Sequence, residues 1–371
     1  MRKLIYPLAL LFLIILPVKG QNNESLKQLL HQRTSFLADS FAIPGMSVSV
    51  IQHGEIIFKK SMGLSNLEYG IPMTDTSLYR IWSVSKQFAA VSILKLREEG
   101  KLTLDDRIGS YLDTIPEQWE KVLIRNLMNQ TGGIKDYLND YPEGQKLTAT
   151  PYEVVRDSTS ELKFPPGMGW SYTNTGYWVM TKIVESLTGL PYQQYIEQNF
   201  FKPSGMELTR KMDYYAIIPG RVSGYRVVDG IPYNSTRMLD EGFTANGDAE
   251  LLSNLEDLIS WTQYLLSEEA IGRESLELAW KPTYLDNGDS IDASYLIFYD
   301  DQAGYGMGWF LSELDGHRMA WTPGAGRGFS TTITTLPDDG LSIVVLTNTR
   351  RFLVADRIAR HLALVVLDYR E

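Results

Sequence analysis

Ser83 and Lys86 stand three residues apart in Ser83-Val84-Ser85-Lys86, a spacing that brings a hydroxyl and an amine onto one face of a helix. Apolar residues recur beyond them at Phe88, Val91, Ile93, Leu94 and Leu96, and Gly100 follows where a helix ends, so the pair opens a predicted helix over 87–99. A serine at that end lies near the positive pole of the helix dipole, with the first amides turned toward it. A desolvated lysine loses part of its preference for the charged form and can take the serine proton, which frees the oxygen to attack a carbonyl. Taken alone, the spacing also fits a helix-capping serine followed by a surface lysine.

A second set lies in Phe164-Pro165-Pro166-Gly167-Met168-Gly169-Trp170-Ser171-Tyr172-Thr173-Asn174. Tyr172 and Asn174, two apart, project to the same side of an extended loop. A phenol near a lysine can relay a proton, and an amide side chain can both donate to and accept from a substrate amide. An isolated Tyr is equally well a packed ring with its hydroxyl capped. The four histidines are His31, His53, His317 and His361, and none adjoins a Gly-Xaa-Ser-Xaa-Gly elbow, which is absent. A Ser-His-Asp mechanism therefore has little support, and no His-Glu-Xaa-Xaa-His pair offers a metal site.

These side chains need a scaffold, and 371 residues with 44% apolar and 22% charged content supply one. A net charge of -10 without a Lys/Arg cluster excludes an electrostatic nucleic-acid footprint. Residues 1–20 read as a signal peptide: Arg2 and Lys3, an apolar run over 4–18, then small residues before Gln21. Its removal implies an exported, periplasmic or extracellular protein with no integral membrane span. The chain has no cysteine, so thiol catalysis, disulfides and thiolate metal sites are all excluded.

Residues 25–41 carry helical spacing with Ser25 as an N-cap. Residues 46–50 and 55–58 alternate across His53-Gly54 as a hairpin. From 87 to 308 the chain reads as a mainly helical lobe, with helical pieces at 152–156, 177–187 and 255–266 and long loops near 211–240 and 283–301. Residues 329–335 and 341–347 are strand-like, and 351–369 is an amphipathic helix. The expected fold class is α/β in the α+β sense: an antiparallel sheet completed by both chain ends and flanked by the terminal helices, plus the helical lobe, with the site in the cleft between them.

Ile81-Trp82-Ser83-Val84-Ser85-Lys86-Gln87-Phe88, the block from Arg97 to Asp106, Ile124-Arg125-Asn126-Leu127-Met128-Asn129-Gln130-Thr131-Gly132-Gly133-Ile134, Tyr172-Thr173-Asn174 and the stretch 247–261 occur in the order seen in one family. The chain resembles the serine β-lactamase-like family, which includes class C β-lactamases, DD-peptidases and related esterases, over roughly residues 30 to 350. The resemblance implies a serine hydrolase with an acyl-enzyme intermediate: Ser83 as nucleophile, Lys86 as its base, Tyr172 as proton relay and Asn174 as a substrate-amide contact. It implies no metal and no organic cofactor, and a small-molecule or peptide substrate.

The family's third element, Lys or His, then Ser or Thr, then Gly, aligns with Thr322-Pro323-Gly324-Ala325. Thr322 replaces the cation and Pro323 has no N–H. Gly324 leaves room for close approach of substrate, and the Ala325 N–H pairs with that of Ser83 as an oxyanion hole. Arg327 either restores a positive charge or is a solvated turn residue. Without the cation, a substrate carboxylate lacks an anchor, so an ester or an amide without that carboxylate is expected. The competing expectation is a catalytically silent binding or sensing protein on the same fold, suggested by the missing cation.

Overall fold

The protein is described here by a computed structural model covering residues 19–113, 115–137, 161–213, 215–235, 247–297, 303–351 and 353–369. The apolar run over 4–18 and the helical piece expected at 152–156 lie outside the described residues. Among the described residues, no helix is long and apolar enough to cross a membrane.

The strands in chain order are β1 (Gly45–Gln52), β2 (Glu55–Asn66), β3 (Ile71–Pro72), β4 (Tyr79–Arg80), β5 (Arg210–Lys211), β6 (Tyr225–Val228), β7 (Ile231–Asn234), β8 (Leu251–Ser253), β9 (Gly304–Tyr305), β10 (Phe310–Leu314), β11 (His317–Gly326), β12 (Phe329–Leu336) and β13 (Leu341–Thr347). The helices that matter for the site and the core are α1 (Lys19–Ser40), α2 (Lys86–Glu98), α3 (Ile124–Met128), α4 (Thr175–Thr188), α5 (Leu255–Leu266) and α6 (Val354–Asp368). Eight strands form the main sheet in the order β3-β2-β1-β13-β12-β11-β10-β9, and every adjacent pair is antiparallel. His53 and Gly54, both at positive φ, make the two-residue turn between β1 and β2. Met46 lies opposite Thr347, so the two ends of the chain meet in the middle of the sheet, as expected.

Side chains alternate across the pleat. Met46, Val48 and Val50 of β1 and Ile343 and Val345 of β13 pack with Leu30 of α1 and Ile358, Leu362 and Val366 of α6. Val344 and Leu346 point the other way, into a core with Phe88, Val91 and Leu94 of α2 and Ile183 of α4. The sheet is thus buried on both faces, by the terminal helices on one and the inserted lobe on the other.

Ser25 is not a helix cap. The helix runs through it from Lys19, and its hydroxyl pairs with that of Tyr369, tying the two terminal helices together. The inserted lobe also holds strands that periodicity did not announce: the ribbon β4-β8-β5 and the hairpin β6-β7. Elements of two to four residues are too short to display a period.

Candidate active site

The site begins where β4 runs into α2. Trp82 has a φ of 50°, a left-handed conformation that costs a non-glycine residue on the order of 1–3 kcal/mol and persists only where its neighbours enforce it. Here they do. The Ile81 N–H donates to the Leu251 carbonyl at 3.0 Å, the Ile81 carbonyl accepts from the Thr331 hydroxyl at 2.9 Å, and the Arg80 guanidinium sits 3.7 Å from the centre of the Trp82 ring. A Cβ at Gly326 would fall 2.2 Å from that ring, so only glycine lets β11 pass beside it. A 3-10 turn, Trp82–Ser85, precedes α2, and it leaves Ser83 half-exposed and Lys86 at the first position of the helix.

Lys86 is fully buried. Its Nζ lies 3.2 Å from Ser83 Oγ, 2.7 Å from Asn174 Oδ1 and 2.9 Å from the Asp248 carbonyl oxygen. Tyr172 and Tyr177 present their ring faces to it at 5.0 and 5.4 Å, within cation–π range. The Asn174 Nδ2 donates to both oxygens of the buried Asp136 at 3.3 Å, and its backbone N–H donates to Asp136 Oδ1 at 3.2 Å. The Asp248 carboxylate accepts from the Tyr137 hydroxyl at 2.6 Å. Burial, and then the Asp248 charge, push the Tyr137 hydroxyl well above its ordinary range, so it stays a donor.

Tyr172 is delivered by a loop that Gln130 grips. Gln130 is buried with a φ of 67°; its side chain accepts from the Thr173 N–H and donates to the Thr173 carbonyl, both at 3.0 Å, and its own carbonyl accepts from the Ser171 N–H at 3.1 Å. The Tyr172 ring stacks on Phe310, 5.9 Å between centres, with its edge toward Tyr305. Ser83, Lys86, Tyr172 and Asn174 are thereby brought together, as the sequence suggested.

Two expected substrate contacts, Thr322 and Asn174, have their polar side chains engaged within the protein. Thr322 is only 2% exposed; its hydroxyl accepts from Gln87 Nε2 at 3.0 Å and donates to the Gly308 carbonyl at 3.1 Å, while Gln87 in turn accepts from the Trp261 indole. It belongs to the wall behind the site. Both ends of the Asn174 amide have partners within the protein, the oxygen in Lys86 and the nitrogen in Asp136. The side of Gly324 where a Cβ would stand faces the Ile81 carbonyl, 2.1 Å away, so this glycine serves the fit of β11 against the serine turn. Ala325 is half-exposed beyond it. Arg327 occupies the turn between β11 and β12, half-buried and engaged by neighbouring groups.

Asp136, Gln130, Asp248 and Gln87 were not singled out from the sequence. Gln130 and Gln87 lie inside the blocks that carried the resemblance and Asp248 inside the stretch 247–261, but nothing in their local pattern marks them. Glu250, buried beside Asp248, was also missed. Burial pushes its carboxyl up to about 7, against the opposing pull of Lys211 at 3.5 Å and of the Gly247 N–H at 2.8 Å. The folded state then binds more protons than the unfolded state between about pH 4.5 and 7, so stability falls as pH rises through that window. Urea unfolding should show Glu250→Gln free of a loss that amounts to about 3 kcal/mol in the parent between pH 4.5 and 8; parallel pH curves for the two would contradict it.

A profile of the family described as Beta-lactamase matches residues 31–368. A penicillin-binding protein of Bacillus subtilis (strain 168) is 27% identical over 320 residues, 81% of this chain and 67% of that protein. A D-aminopeptidase of Gluconobacter oxydans (strain 621H) is 26% identical over 338 residues, 88% of this chain and 60% of that one. A D-aminopeptidase of Brucella anthropi is 27% identical over 315 residues, 82% of this chain and 56% of that one. The chain therefore spans only about three-fifths of the length of these D-aminopeptidases. Two solved structures share the fold: the D-amino acid amidase from Ochrobactrum anthropi SV3, 20% identical with a TM-score of 0.76 over 94% of this chain and 99% of that one, and the octameric penicillin-binding protein homologue from Pyrococcus abyssi, 23% identical with a TM-score of 0.73 over 95% and 78%. With a family profile running from the first helix to the last, over a sheet, a helical lobe and a clustered serine, lysine and tyrosine, the chain belongs to the Beta-lactamase family and is a serine hydrolase of that kind.

Proposed function

We propose that this protein is an exported hydrolase that acylates Ser83 with an ester or amide lacking a free carboxylate, such as an amino-acid amide or ester, and then releases the acid to water. Support comes first from the Lys86 amine. A neutral amine has two hydrogens and one lone pair, and two of its three neighbours, Asn174 Oδ1 and the Asp248 carbonyl, can only accept. With both hydrogens drawn to them, the lone pair is left for the Ser83 hydroxyl at 3.2 Å.

The proton passes from Ser83 Oγ to Lys86 Nζ as the oxygen adds to the substrate carbonyl. The N–H groups of Ser83 and Ala325 receive the oxyanion. The Tyr172 hydroxyl, which makes no hydrogen bond to a described residue, carries the proton from the Lys86 ammonium to the departing alcohol or amine. Water then adds to the acyl carbon by the reverse route, and the bond to Ser83 breaks.

The substrate class follows from the third element. Thr322 is neutral and occupied by Gln87 and Gly308, so it offers nothing to a substrate carboxylate. A D-amino acid amidase with the same fold agrees with substrates that lack that group. In a panel of short-chain esters, D-amino-acid amides and a chromogenic cephalosporin, turnover of the first two and not the third is the expected pattern. Intact-mass measurement should show one fluorophosphonate adduct on the parent protein and none on Ser83→Ala; an adduct that persists in the variant refutes Ser83 as nucleophile.

A further inference from the structure

Asp136 meets Asn174 through three hydrogen bonds, and Asn174 in turn meets Lys86. Building on the function proposed above, we infer that Asp136 is a positioning residue for acyl transfer: by fixing which end of the Asn174 amide faces Lys86, it keeps the lysine lone pair on Ser83.

An amide side chain is nearly symmetric in shape, and which end is oxygen is decided by its partners. At Asn174 one end meets an amine and the other a carboxylate. Turned the other way, the NH2 group would meet the hydrogens of Lys86 and the oxygen would meet the acceptor-only oxygens of Asp136, a repulsion at each end. The Asp136 carboxylate thus excludes the wrong sense, and its third contact, from the Asn174 N–H, fixes the backbone at the first turn of α4 as well. Remove the charge and Asn174 can turn. Its NH2 group would then compete for the lysine lone pair that Ser83 needs, and the base would be lost with every reacting residue still in place.

Asp248 does the companion task through its backbone carbonyl, which no side-chain substitution can turn around. Asp136 is therefore the point at which the orientation is set by a side chain and can be tested. Asp136 and Thr131 both follow Gln130 in the loop that grips the Tyr172 segment, so the base and the phenol are placed from one stretch of chain.

The test uses Asp136→Asn, Asn174→Ala and the double variant, with rates taken on an activated nitrophenyl ester, the labelled residue read by mass, and thermal unfolding recorded in parallel. Each single variant should lose about 10- to 100-fold in the acylation rate with KM little changed, because orientation and not substrate binding is removed. The double variant should be close to Asn174→Ala in rate, because the hold of Asp136 on Lys86 passes through that amide. A full rate in Asp136→Asn, or losses that multiply in the double variant, overturns the inference. Asp136→Ser carries the same expectation if the Asn variant does not fold. If the parent protein is never acylated on Ser83, the proposed function itself fails, a result visible before any variant is compared.

Discussion

Lys86→Met loses acylation by about 1,000-fold, the scale expected when a positioned general base is removed, while the protein remains folded. Methionine has nearly the length and volume of the lysine stem and keeps the packing between the Tyr172 and Tyr177 rings. It cannot take a proton. The Asn174 oxygen and the Asp248 carbonyl are each left without a donor, which costs roughly 1–3 kcal/mol apiece. Rate and stability should therefore separate in stopped-flow acylation and thermal unfolding of the same sample. Lys86→Arg should fare no better in rate, since a guanidinium stays charged and has no lone pair to offer. A methionine variant acylated at the parental rate would show that some other group activates Ser83.

Gly324→Ala has an effect of similar size through geometry alone. The added methyl would stand 2.1 Å from the Ile81 carbonyl oxygen and 2.4 Å from Thr331 Oγ1. Neither can yield easily, because that carbonyl accepts from Thr331 and from the Val84 N–H, which closes the serine turn. Either β11 withdraws or the left-handed Trp82 turn is lost, and both displace Ser83 from Lys86. Activity should fall by at least about 100-fold, with roughly 1–3 kcal/mol of stability lost to overpacking. Gly304→Ala is the control: the nearest atom to its added methyl is 3.9 Å away, and it should cost little in either measure. An active, fully stable Gly324→Ala would mean that the approach of β11 to the serine turn is not what holds the nucleophile.

The parts of the site legible in the sequence were those set by local geometry. Three residues of separation on a helix, or two on an extended loop, predict a shared face, and both Ser83 with Lys86 and Tyr172 with Asn174 obeyed that rule. The antiparallel sheet from both termini followed from alternation at 46–50 and from β-branched runs at 329–335 and 341–347. What escaped was set by partners distant along the chain. Nothing near Asn174 states that Asp136, thirty-eight residues earlier, will claim its nitrogen. Nothing near Thr322 states that Gln87, across 235 positions, will claim its hydroxyl. The same residue type is a substrate contact when exposed and a strut when buried, and burial is a property of the assembled fold.

Because Met46 lies opposite Thr347, β1 lacks its neighbour in the sheet until β13, far along the chain, has been made. Until then the N-terminal hairpin has an unpaired edge, exposed to any other strand that drifts near. Closing so large a loop makes maturation slow for a molecule with this much helix, and it ties the arrival of catalytic competence to the docking of β13.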